Sequence, residues 1–114
     1  NMAKPTWIKE LGEVLRHPTI QVVLTSKTTG KEYTADVIRQ LPVFSTGVID
    51  EVEGGFKYSI SDTKNNLEYT IKAPQKVDIK FGVILVFTNV RGGATSTGSG
   101  WYSAESVEVA QRNE

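Results

Sequence analysis

The chain has 114 residues, 39% apolar and 23% charged, as expected of one soluble folded domain with its own core rather than a disordered chain. It contains no cysteine and a single histidine, His17, which excludes disulfides, thiolate metal sites and a cysteine nucleophile and leaves too little for a histidine metal cluster. Thirteen basic residues balance thirteen acidic ones, so bulk charge gives no general attraction for a polyanion and any positive surface must be assembled by folding.

No apolar run approaches the ~20 residues of a membrane helix, and the longest is Val83–Phe87. No secretory signal is visible, and Asn1 before Met2 reads as the remnant of a cleaved tag, with Met2 as the native start. A cytoplasmic protein without membrane contact is expected.

The first element expected is an amphipathic helix over Thr6–Arg16, in which Trp7, Leu11, Val14 and Leu15 share one stripe. Thr6 is its candidate N-cap, Gly12 weakens it and Pro18 closes it. Such a helix would cap one open end of a core, or serve as an arm that docks on a partner. Ile20–Thr25 and Glu32–Val37 are rich in β-branched residues and flank Lys27–Lys31, a hairpin signal. Thr29-Gly30-Lys31 lacks the first glycine and the strand-to-helix context of a phosphate loop, so it reads as a turn. Thr34–Gln40 is compatible with a strand or with a helical turn, and Leu41-Pro42-Val43-Phe44 is expected to interrupt regular structure.

Three strands are then expected in a meander: Thr46–Glu53, Phe56–Ser61 and Leu67–Ala73. Gly54-Gly55 suits a tight primed turn between the first two, and the polar run Asp62–Asn66 suits the next loop. Phe56, Tyr58 and Ile60 alternate with Lys57, Ser59 and Ser61, and Leu67, Tyr69, Ile71 and Ala73 alternate with Glu68, Thr70 and Lys72, giving one buried and one wet face. Pro74 ends the meander, and Gln75–Lys80 is too short for more than one helical turn. Lys80-Phe81-Gly82 turns the chain into Val83–Val90, a strand apolar on both faces whose outer side needs a cover, for which the N-terminal helix is the candidate. The loop Arg91–Gly100 holds four glycines and no large apolar residue, so it is expected to be a mobile surface loop. A last strand, Trp101–Val109, follows, with Trp101 and Tyr102 on opposite faces and a polar tail, Gln111–Glu114, beyond it.

Three strands, a connector and two strands around a long loop is the order of a small five-stranded OB-like antiparallel barrel. The expected protein is thus mainly β, a single domain over 1–114, with an N-terminal helix and hairpin extension (1–45) ahead of the barrel (46–110). Little supports catalysis or a cofactor. Asp50, Glu51 and Glu53 precede a turn, where acids are ordinarily just solvated, and His17 has no triad partner in the sequence.

Binding of single strands needs flat side chains for bases and cations for the backbone. In an OB barrel those positions fall on Lys57, Tyr58, Tyr69 and Lys72 of the second and third strands, with Arg91, Trp101 and Tyr102 flanking the glycine-rich loop. Tyr58 and Tyr69 share the alternating face of Phe56, Ile60, Leu67 and Ile71, which also fits a core role; Lys57 and Lys72 lie opposite. From Gly47 to Val109, through Gly54-Gly55, Lys80-Phe81-Gly82, Arg91-Gly92-Gly93 and Trp101-Tyr102-Ser103-Ala104, the chain resembles the small OB-fold single-stranded-DNA-binding proteins, including those of bacterial plasmids, phages and conjugative elements. The resemblance implies a non-catalytic protein that binds single-stranded DNA or RNA with little sequence preference, as a homo-oligomer. The alternative is a small protein-interaction or assembly module of a mobile element or phage, using the Trp7 helix and a barrel edge. Convergence of Lys57, Lys72, Lys76, Lys80 and Arg91 on one groove would favour the first, and interleaved acids the second.

Overall fold

In a computed structural model that describes residues 2–110, a single long strand carries the architecture. Asn1 and the tail Gln111–Glu114 lie outside the described residues. The elements in chain order are α1 (Leu11–Leu15), β1 (Ile20–Thr25), β2 (Glu32–Val52), β3 (Gly55–Asp62), β4 (Leu67–Ala73), β5 (Ile84–Gly93), β6 (Trp101–Ser103) and β7 (Ser106–Val109). β2 pairs in succession with three partners: residues 32–37 with β1, 38–44 with β5, and 44–52 with β3. The expected boundary at residues 45 and 46 therefore falls inside a strand, and Thr34–Gln40 is extended rather than helical.

Leu41-Pro42-Val43-Phe44 does not interrupt structure, for a reason that lies in its neighbours. The Ser45 N–H donates to the Val83 carbonyl, so by the two-residue period the amides of Val43 and Leu41 face β5 and the Pro42 nitrogen faces away. On that side the β3 ladder begins only at Phe44, so the missing donor leaves no ladder bond unmade. Just beyond, the register with β3 slips between Ser45 and Ile49 around Gly47, whose φ is 91°. The buried Ser45 hydroxyl accepts from the Gly47 N–H at 3.0 Å, and Thr46 Oγ1 donates to the Ser59 carbonyl at 3.1 Å. This bulge bends β2 from one partner to the next and lets the sheet curl.

The barrel closes through β2–β3–β4–β6–β5 and back to β2. The closing contact of β4 with β6 is parallel, at Lys72 and Ser103, so the five-stranded barrel is mixed rather than wholly antiparallel. At Ala104 and Glu105 the last strand breaks, the Ala104 N–H turning to the Lys72 carbonyl and that of Glu105 to Thr88; β7 then continues along β5. Within the meander, Val52 pairs with Gly55 around Glu53-Gly54, and of the two glycines only Gly54 has positive φ, at 79°. Gly55 serves close approach instead, because a Cβ there would stand 2.5 Å from the Ala73 carbonyl oxygen.

Leu41, Val43, Tyr58, Ile60, Ile71, Leu85 and Phe87 fill the barrel, and Leu11, Val14 and Leu15 of α1 close one end of it. The helix is one turn long, with Glu10 rather than Thr6 at its N-cap and Arg16 in the left-handed region at its end. Trp7 lies ahead of it in an extended strap whose N–H donates to the Gly98 carbonyl. α1 does not cover the outside of β5: Ile84 remains 40% exposed. The irregular connector 74–83 is held by Tyr58, whose hydroxyl donates to the Gln75 carbonyl (2.5 Å) and accepts from the Val77 N–H (3.0 Å). No described helix is long and apolar enough to cross a membrane.

Candidate functional site

Because strand side chains alternate, the residues between the core positions form a row on the outer barrel wall. It reads Asp50, Lys57, Lys72, Ser103 and Arg91, each the register partner of the next. A lysine directly opposite a lysine costs stability in a sheet; Asp50, the cross-strand neighbour of Lys57 on its other side, is the acid of this row. The hairpin of β1 and residues 32–37 of β2 projects over this wall. Between hairpin and wall lies a groove of about 790 Å³, with Leu24, Lys27 and Tyr33 on the hairpin side and Lys72, Arg91 and Ser103 on the barrel side.

Lys27, Lys72 and Arg91 have no carboxylate within ion-pair distance among the described residues. The groove's one acid, Glu105, accepts a hydrogen bond from Asn89 Nδ2 at 2.5 Å. Asn89 is in the left-handed region (φ 52°), and its buried Oδ1 has no partner among the described residues. Arg91 donates to the Tyr33 hydroxyl at 3.1 Å, and this pair forms a ridge between the first groove and a second of about 380 Å³. Trp7, Tyr33, Asp36 and Trp101 line the second groove. Trp101 stays 47% exposed with its indole against Gly93, where a Cβ would stand 2.5 Å from Nε1.

Of the seven residues expected to bind nucleic acid, Lys57, Lys72, Arg91 and Trp101 face outward, while Tyr58, Tyr69 and Tyr102 are core side chains with no face free for a base. Tyr102 packs against Tyr69 (ring centroids 5.1 Å apart) and Trp7 (6.5 Å), and its hydroxyl donates to the Ser99 carbonyl at 2.6 Å. Burial pushes the Tyr102 phenol up to about 12. Burial likewise raises Tyr58, opposed by its bond from Val77, and raises Tyr69 further with help from the Asp62 charge. Lys76 and Lys80 sit exposed on the connector and line neither groove. The glycine-rich loop is not free either. The strap from Trp7, the Tyr102 hydroxyl and a bond from the Gly100 N–H to Thr95 Oγ1 all hold it.

No local pattern in the sequence marks Lys27 and Tyr33, because only the path of β2 brings the hairpin over the wall. Nor does one mark the partner of His17. Its Nε2 lies 2.6 Å from the buried carboxylate of Asp62, to which Asn65 Nδ2 donates at 3.0 Å. Burial alone would raise Asp62, but the hydrogen bonds from Asn65 and His17 and the His17 charge outweigh it and hold the carboxyl below its ordinary range. The cluster ties the end of α1 to the β3–β4 loop. No group of three or more His, Cys, Asp or Glu suited to a metal occurs among the described residues. Comparison with known proteins adds no relative: no family model, no curated protein and no solved structure matches the chain.

Proposed function

We propose that the protein is a non-catalytic binder of single-stranded nucleic acid with little sequence preference, holding the strand on the outer barrel wall at Lys72 and Arg91, with Lys57 and Trp101 beside them. The observation that carries this reading is the gathering of uncompensated cations in one groove of a chain with balanced charge. Concentrated positive charge beside an exposed indole suits a phosphate backbone with unstacked bases. The test is fluorescence anisotropy with a labelled DNA oligonucleotide of about 30 nucleotides at low and moderate salt. Binding that weakens as salt rises, and falls in the R91A/K72A double variant, is expected. Absence of binding at low salt would overturn the proposal.

A second reading, a protein-interaction or assembly module, rests on a separate surface. Phe44 and Ile84 are cross-strand neighbours on the outer wall and are 37% and 40% exposed. Close by, Phe81 packs its backbone against Gly47 and is 85% exposed, and Val48 is 50% exposed. An apolar cluster of this kind is a feature of protein interfaces.

A further inference from the structure

The hairpin arm is not needed to close the barrel. β1 pairs only with β2, and the Arg91–Tyr33 bond is the one side-chain hydrogen bond between the ribbon and the barrel among the described residues. A two-stranded ribbon is marginally stable by itself. Along β1, Val22 and Leu24 are half-buried and, with Lys27 of the turn, line the groove against the cationic wall, while Ile20 and Val23 stay exposed. The two grooves on either side of the Arg91–Tyr33 ridge also differ in chemistry. The larger gathers Lys27, Lys72 and Arg91. The smaller gathers Trp7, Tyr33 and Trp101 together with the carboxylates of Glu10 and Asp36, with Lys9 the one cation it does not share with the larger groove. Phosphate is favoured in the first and repelled by the acids of the second. A base offers a flat face to the aromatic rings and N–H donors to the carboxylates, so it suits the second.

Resting on the nucleic-acid reading above, we infer that the hairpin arm is half of the binding site: a single strand crosses the Arg91–Tyr33 ridge with its phosphates on Lys27, Lys72 and Arg91 and a base in the groove between Tyr33 and Trp101. The arm acts as a clamp whose turn supplies a cation and whose returning strand, at the second pair from the turn, supplies a stacking ring. Lys27 and Tyr33 are thus binding residues from outside the barrel.

The experiment is a salt titration of binding to a labelled mixed-sequence DNA oligonucleotide of about 30 nucleotides, with wild type, K27A, Y33A, Y33F, W101F and R91A/K72A, each checked for folding by circular dichroism. K27A is expected to lower the slope of log K against log salt by about 0.7, the value of one lost phosphate contact on a single strand. Y33A is expected to weaken binding roughly five- to 150-fold, the usual range for a lost stacking ring, with the slope unchanged. Y33F should retain most of the affinity. Quenching of tryptophan emission by the oligonucleotide should shrink in W101F, which leaves only Trp7. If K27A and Y33A bind like wild type while R91A/K72A does not, the arm is no part of the site and the barrel-wall reading stands alone. If wild type binds nothing at low salt, both fall. Lys27 is exposed in a turn, so K27A tests the arm even if Y33A fails to fold.

Discussion

Tyr58 offers the sharpest separation between a structural and a binding role for an aromatic residue of the meander. Its side chain is fully buried, its ring meets Phe87 edge-on at 5.8 Å, and its hydroxyl both donates to Gln75 and accepts from Val77. Tyr58→Phe keeps the ring and removes only the oxygen. Two connector groups then lose their partner, and a net hydrogen bond contributes about 0.5–1.5 kcal/mol, so the loss should be about 1–3 kcal/mol in all. Urea denaturation followed by circular dichroism measures it as a lower midpoint with an unchanged slope. The connector has few other anchors, one being Gln75 Oε1, which accepts from the Val107 N–H. Proteolysis within 74–83 should accordingly quicken. Oligonucleotide affinity should not change, because the ring faces the core. A loss below about 0.5 kcal/mol, or a binding defect in a folded variant, would refute this account of Tyr58.

Other outcomes follow from the same contacts. Asp62 is held below its ordinary 3.8, so its contribution is fully present above that pH and is lost as pH falls through its folded value. In H17A the folded value rises, and acid unfolding should begin at higher pH; D62N should flatten the acid limb. An alanine at Gly93 must displace the Trp101 indole, since the backbone there is not left-handed and the three atoms nearest the added Cβ all belong to that ring. Gly93→Ala should therefore shift tryptophan emission and cost about 1–3 kcal/mol by overpacking.

The alternation of Phe56, Tyr58 and Ile60 with Lys57 and Ser59, and of Leu67, Tyr69 and Ile71 with Glu68 and Lys72, foretells the meander and its faces, because a two-residue period is a local property. The same period places Lys57 and Lys72 outside and puts Trp101 and Tyr102 on opposite sides. The order of the barrel strands is legible for the same reason. Where the chain meets itself is not. Pro42 looks like a break because proline lacks a donor, and only the neighbours of β2 show that its nitrogen has no strand to bond. His17 and Asp62 lie 45 residues apart, and no local pattern joins them. Lys27 reaches Lys72 and Arg91 because β2 runs unbroken from the hairpin into the barrel. Local periodicity thus decides which face each side chain takes, whereas the groove depends on long-range pairing, which only the tertiary structure decides.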